Sequence, residues 1–500
     1  VLFRSPFSKN VVISLMGLSS PFWIRLWLAG LTLAVTPGQT APPNPFLNVV
    51  LGRPTDSSMI LNCLSENPAK IRAEYGTEAN SLNQKAGPLS LEANVPAELS
   101  LTGLKPNTRY HYLLLAVDSS APLAEGTFRT QRSPGSTFMF ALQGDSHPER
   151  AGQMFDASLY RRTLETVSAA QPDFYITMGD DFSIEHLISR ASLSQESVNG
   201  VYSRQRPFLG IVGRCSPLFL VNGNHEQASR ASLDGTATNC SILAGRARTN
   251  FFSLPVPDSF YSGNAQEIEH LGLPRDYYAW TWGDALFVVL DFYWHSPSYV
   301  DNEPGARGGD KEKGKKGGKG KGGRDGWAVT LGEEQYRWLS QTLSQSKARW
   351  KFVFCHHVLG GGRGGIERAS YFEWGGKDRD GADRFAEKRP GWELPIHSLL
   401  VKHGVTIFFQ GHDHIFAHQE LDGVVYQSCP NPADPTYTAF NREAYQAGTI
   451  LPDSGFLNIT VSTEKVEVDY HRSWLPADEK DGRKQGEVAH HYTVNSRTAR

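Results

Sequence analysis

The sequence predicts an α/β protein in two parts: an all-β antiparallel sandwich, then a larger domain in which strands and helices alternate. Three observations predict it. Short strand-like runs separated by turn residues fill 48–132, the spacing of a sandwich of roughly seven strands. From Ser136 onward apolar runs of strand length alternate with segments of helical periodicity, which implies parallel strands with helices outside. Five of those runs, at 137–142, 174–178, 218–221, 351–355 and 405–409, lead into blocks of Asp, Asn and His.

Size and composition agree. A chain of 500 residues exceeds one ordinary core. Hydrophobic content of 39% and charged content of 20% fit a folded globular protein. A formal charge of −2 gives no global pull toward nucleic acid, so no stable nucleic-acid complex is expected. The five cysteines are odd in number and contain no close CxxC pair. That excludes a zinc ribbon or a thioredoxin-like site on spacing.

Residues 1–41 carry a targeting pattern. Counted from Met16, Arg25 is followed by the apolar run 26–35 and then by small and turn residues through Ala41. That is the order of a cleavable secretory signal. A membrane anchor is the competing reading, but so short a run cannot span ~30 Å of hydrocarbon as a helix. The expectation is a secreted or periplasmic protein with no membrane span in its mature form.

The sandwich is placed at 46–132. Its clearest strands are 49–51, 59–63, 70–75 and 111–117. The stretch Leu101-Thr102-Gly103-Leu104-Lys105-Pro106-Asn107-Thr108-Arg109-Tyr110 resembles the Leu-x-x-Leu-x-Pro-x-Thr-x-Tyr signature of fibronectin type III domains. The resemblance implies that Tyr110 starts a strand and that its hydroxyl ties back to the preceding loop. No catalytic constellation occurs here, so the expected role is support. Residues 131–135 read as a linker.

The second domain is placed at 136–476. Helices are expected at 151–170, at 333–343 with Tyr336, Leu339 and Leu343 on one face, and at 395–403. Strict alternation over 455–472 predicts a closing hairpin. The Lys/Gly stretch 308–326 has no apolar residue; it can bury nothing and is expected as a disordered insertion. The polar residues 477–500 are expected as a mobile tail.

The chemistry lies in the five blocks. They are Asp145-Ser146-His147, Gly179-Asp180, Gly223-Asn224-His225-Glu226, His356-His357 and Gly411-His412-Asp413-His414. Strands ending this way deliver oxygen and imidazole ligands to one sheet edge. Seven such ligands suffice for two metal ions if one carboxylate bridges. A mixed nitrogen and oxygen set without thiolate favours Mn, Fe, Zn or Co. The pattern therefore reads as a two-metal hydrolase.

In this order the blocks resemble the calcineurin-like metallophosphoesterase superfamily: Asp-x-His, Gly-Asp, Gly-Asn-His-Asp/Glu, a lone His after a strand, and Gly-His-x-His. The resemblance covers roughly 136–472. It implies a β-sandwich flanked by helices, four layers in the order αββα. It also implies two divalent ions and hydrolysis of phosphate mono- or diesters by a metal-bound hydroxide. Asp145, His147, Asp180 and His414 would hold the first ion. Asp180, Asn224, His356 and His412 would hold the second, with Asp180 as the bridge. His225 would assist catalysis by donating to the phosphoryl oxygen or the leaving group, with Glu226 orienting it. Asn224 and His225 would face the substrate. His357 is either a substrate contact or a hydrogen-bonded neighbour of the ligands. Asp413 is expected as a structural acceptor, and Asp181 as a solvated or capping carboxylate.

A sandwich ahead of such a domain is also similar to purple acid phosphatases. They carry Asp-x-Gly in the first block and Gly-Asp-x-x-Tyr in the second, where the Tyr binds ferric iron. Here His147 replaces the Gly and Ser183 the Tyr. A colourless site with two divalent ions is therefore implied. The substrate is expected to be a small phosphoester or a nucleotide. Two other readings stay open: a nucleotide phosphodiesterase or nuclease, and an inactive metal-binding protein of adhesion type.

Overall fold

The computed structural model describes residues 47–300, 325–356 and 362–496. The signal pattern at 1–41, His357 and nearly all of the Lys/Gly stretch lie outside them.

The chain begins as seven antiparallel strands in two sheets. Leu47–Gly52, Ser58–Ser65 and Ala97–Thr102 form one; Gln84–Leu91, Ala69–Gly76, Arg109–Ala116 and Pro122–Arg129 form the other. Period-two alternation explains how they pack. In Ala69–Gly76, Ile71, Ala73 and Tyr75 are buried, while Arg72 and Glu74 between them are partly exposed. The two sheets close over Leu61, Leu101, Tyr110, Leu114 and Phe128. Tyr110 stacks on Phe128 with ring centroids 5.5 Å apart, and its hydroxyl accepts the Lys105 N–H at 2.9 Å. The tie to the preceding loop that the fibronectin-like signature implies is thus present.

Residues 131–135 connect without slack. Arg132 donates twice to the Asp173 carboxylate, at 2.5 and 3.0 Å, and Gln131 Nε2 donates to the Thr281 carbonyl at 2.8 Å. A further clamp is Arg206, fully buried on the helix Gln195–Gly213. Its guanidinium donates to Asn48 and Asn62 of the first sheet and to the Phe251 carbonyl.

The rest of the chain forms two mixed sheets face to face. One has six strands in the order Leu218–Leu220, Tyr175–Thr177, Phe138–Gln143, Gly455–Val461, Lys465–Arg472, Val488–Asn495. The other has eight, and its centre is the parallel set Ala285–Val289, Trp350–Cys355, Ile407–Gln410 and Val424–Ser428. Phe140, Ile176 and Phe219 from the first sheet meet Phe287, Phe354 and Phe409 from the second in one core. The Phe140 and Phe287 rings meet edge-on at 5.2 Å, a favoured aromatic geometry. The outer face of the six-stranded sheet is covered by Ala157–Ala170, Gln195–Gly213 and Cys240–Phe251. The outer face of the other is covered by Gly332–Gln345 and Ile396–Lys402. The layers are helix, sheet, sheet, helix. Burial on both faces is why these strands read as continuous apolar runs rather than alternating ones.

Two expectations need correction. The helix expected from residue 151 begins at Ala157, because Asp156 caps it by accepting the Ser158 and Leu159 N–H groups. The tail expected to be mobile contains the strand Val488–Asn495, which pairs antiparallel with Lys465–Arg472. His490, Tyr492 and Val494 turn inward there, and Tyr492 stacks on His418 at 3.7 Å. Its alternation was masked by histidines and threonine in a polar stretch.

Candidate metal centre

The five blocks converge because parallel strands end at the same edge. Asp145 and His147 follow Phe138–Gln143, Asp180 follows Tyr175–Thr177, and Asn224 and His225 follow Leu218–Leu220. His356 follows Trp350–Cys355; His412 and His414 follow Ile407–Gln410. The six-stranded sheet thus supplies the first five residues and the eight-stranded sheet the last three. All eight are buried.

They form two neighbouring groups. In the first, His147 Nε2 lies 2.9 Å from His414 Nε2, and His414 Nε2 lies 3.1 Å from Asp145 Oδ2. In the second, His356 Nε2 lies 3.2 Å from Asn224 Oδ1, and His412 Nδ1 lies 3.1 Å from the same oxygen. Asp180 Oδ2 faces both, 3.7 Å from His147 Nε2 and 3.2 Å from His356 Nε2. Ligand atoms at 2.0–2.2 Å from one ion stand roughly 3–3.5 Å apart. The donor set therefore fits divalent cations in both spacing and chemistry.

The surrounding bonds leave the right nitrogens facing inward. His356 Nδ1 is 2.6 Å from the Met178 carbonyl, and His147 Nδ1 is 2.8 Å from Glu149. Each bond fixes a tautomer with Nε2 as the lone-pair atom. Burial, reinforced by His414 and His225, holds the His147 pKa well below the ordinary histidine value, so the ring is neutral. Burial works against the Asp180 carboxylate, but His356 and His225 outweigh it and keep its pKa well below the usual range.

The backbone is bent to achieve this. His147, Asp180, His412 and His414 all have positive φ, between 50° and 70°, a conformation that costs a non-glycine residue about 1–3 kcal/mol. The motif glycines allow close approach. A Cβ on Gly223 would lie 2.3 Å from Asp180 Oδ1, and one on Gly411 would lie 2.7 Å from Asp145 Oδ1.

The calcineurin-like phosphoesterase family model matches residues 138–416, more than half of the chain. The chain belongs to this family. Membership makes it a metal-dependent phosphoester hydrolase. Solved structures share the fold. A structure of PhoD aligns with a TM-score of 0.60 at 14% identity, covering 92% of each chain. The purple acid phosphatase PPD1 from yellow lupin (Lupinus luteus) seeds aligns with a TM-score of 0.55 at 16% identity, covering 89% of this chain and 74% of that one. No curated protein sequence matches significantly.

The phosphoesterase places several neighbours differently from expectation. Glu226 does not orient His225. It accepts four backbone N–H groups, from Asp180, Asp181, Phe182 and Gly223, and so ties the second block to the third. The carboxylate beside His225 is Glu185, with Oε1 2.9 Å from His225 Nδ1. Asp181 is buried rather than solvated; it accepts from Ser146 Oγ at 2.5 Å and Gln143 Nε2 at 3.0 Å. Asp413, by contrast, is the structural acceptor expected, taking hydrogen bonds from Tyr445, Gly364 and Arg363. Phe182, Trp374 and Phe416 are core residues.

Sequence reasoning missed Glu149, Arg150 and Glu185. Arg150 Nη2 lies 3.4 Å from His225 Nε2. Glu149 and Arg150 had a faint signal, as charged residues just past the first block. Glu185 had none, because it reaches the site from the start of a short helix, Glu185–Ser189.

Glu226→Gln is expected to disturb the centre without touching a metal ligand. An amide presents an NH2 group to backbone donors that now meet carboxylate oxygens. Loss of such an outer contact typically lowers metal affinity ~10–100-fold. Titration of the metal-free protein with Mn or Zn measures this; an unchanged affinity would show that the four bonds only stabilise the loops.

Proposed function

We propose that this phosphoesterase is a dinuclear enzyme acting on small phosphate mono- or diesters. The observation that carries the reading is Asp180 Oδ2, which faces both ligand groups at once. Asp145, His147, Asp180 and His414 would hold one divalent ion, and Asp180, Asn224, His356 and His412 the other. When bound, the pair supplies Lewis acidity to the phosphoryl oxygens and lowers the pKa of a water.

The chain's own residues supply the rest. Burial opposes a charge on His225, but Asp180, Glu185 and Glu149 outweigh it and lift its pKa without metal to about 9. It can therefore give a proton to the leaving oxygen. Arg150, beside it, adds positive charge where a phosphoryl group would sit. A protein that merely retained metals would need the ligands but not His225, which argues against the inactive reading. The deciding experiment is metal analysis with an activity panel of aryl monoester, diester and nucleotide substrates in Mn, Zn, Co and Fe(II). One ion per chain at full activity would refute the dinuclear reading.

Colour provides an independent check. Ser183 stands where purple acid phosphatases carry the iron-binding Tyr, and the Tyr175 hydroxyl is engaged by Gln143 at 2.8 Å. Loading with ferric iron is expected to give no visible charge-transfer band. A purple product would point to Tyr293, whose ring centroid is 6.3 Å from that of His356.

Export is proposed from the signal pattern alone. Among the described residues no helix is long and apolar enough to cross a membrane. Intact-mass analysis of protein recovered outside the cytoplasm should show a chain starting near residue 42; a chain retaining residues 16–41 would refute cleavage.

A further inference from the structure

Beside the metal centre lies a cavity of about 1030 Å³. Two carboxylates border both. Glu149 holds His147 Nδ1 at 2.8 Å, Glu185 stands 2.9 Å from His225 Nδ1, and each also lines the cavity. Glu185 thus stands between the cavity and His225. Phe155, Ile188, Val201 and Phe208 give it an apolar wall, and Ser183, Ser189, Arg190 and Arg204 line it as well. Phe208 is half-buried and fixed by ring contacts with Phe155 at 6.0 Å and Tyr160 at 5.2 Å.

Two polar atoms in this wall have no hydrogen-bond partner. Gln205 is 2% exposed; its Nε2 donates to Ser146 Oγ at 3.0 Å, and its Oε1 has no partner. His186 Nδ1 is also buried and unpartnered. Burial, with Arg190 and Arg204 nearby, lowers the His186 pKa below its ordinary value, so the ring is neutral and one nitrogen can accept. A buried polar atom left unpaired costs about 1–3 kcal/mol. An apolar concavity with a few convergent polar atoms is the usual form of a small-molecule site.

Resting on the phosphoesterase reading, we propose that this cavity receives the alcohol half of the substrate, an apolar group of aromatic size bearing a hydroxyl or amino donor. Gln205 Oε1 accepts the single proton of a hydroxyl, and His186 Nδ1 is the second acceptor for an amino group. Phe155, Ile188, Val201 and Phe208 give a ring an apolar surface to pack against. The ester oxygen would then lie toward His225 Nε2, beside Arg150.

The test uses the metal-loaded full chain and three esters with comparable aryl leaving groups: phenyl, 2-naphthyl and 6-hydroxy-2-naphthyl phosphate. Specificity constants are expected to rise along that series, by about tenfold or more from first to last, the scale of pocket discrimination. Ala157→Trp and Ser189→Trp, at two exposed positions lining the cavity, should erase most of that ratio. Calorimetry with 2,6-naphthalenediol should show binding to the parent and weaker binding to both variants. Equal specificity constants for the three esters, with no diol binding, would overturn the cavity assignment while leaving the phosphoesterase reading intact. No hydrolysis of any ester would defeat that reading instead, and the diol would then decide the cavity alone.

Discussion

Asp180→Asn is expected to empty both metal positions in part and to cost about 10³-fold or more in turnover, because a metal pair supplies several kcal/mol of transition-state stabilisation. The reasoning is geometric. Asp180 Oδ2 lies within 4 Å of both His147 Nε2 and His356 Nε2, while Oδ1 accepts the His225 N–H at 2.8 Å. Asn keeps the shape of the side chain but removes its charge. It can turn its oxygen to only one of those tasks, so its NH2 must face either the cations or the His225 N–H. Metal analysis of the purified variant should give clearly fewer than two ions per chain. Full occupancy together with full turnover would show that Asp180 is not shared.

How much of this was legible in the sequence follows from what each feature depends on. The strands leading into the blocks were visible because both their faces are buried, so 352–355 and 407–409 are unbroken apolar runs. The sandwich was visible through its turn spacing and the Tyr110 signature. The blocks could be grouped because a parallel strand places whatever follows it at one edge of its sheet. The residues that missed share another physics. Glu226 sits inside a block, yet what it binds is backbone from another block. Glu185 approaches His225 across 40 positions from a five-residue helix. Asp181 is buried where Ser146 and Gln143 donate to it. Contacts of that kind are made by tertiary packing and leave no local period or spacing to read. The strand Val488–Asn495 was hidden for a related reason: an edge strand buries only one face, and here that face includes His490.

His225→Ala is expected to keep both metal positions and lose about 10²–10⁴-fold in turnover, the usual range for a general acid. His225 lies next to Asn224 in sequence, but its ring points elsewhere. Its Nδ1 is taken toward Glu185 at 2.9 Å, and its Nε2 lies 3.4 Å from Arg150 Nη2 and 3.9 Å from Asp180 Oδ2. A protonated imidazole in that position can donate, although the ring also lies with His147 and Asp180 in a group close enough to share an ion. The loss should therefore shrink for esters whose alcohol leaves without a proton. pH separates this role from simple phosphate positioning. The acid must be protonated to act, so activity should fall as pH rises through its pKa. That pKa is about 9 without metal, and two nearby cations lower it by disfavouring a further positive charge. The basic limb of the kcat profile should thus lie below about 9 in the parent and vanish in His225→Ala. A variant that keeps the limb, and loses the same factor for every leaving group, would show that His225 holds the phosphoryl oxygens and that another group carries the proton.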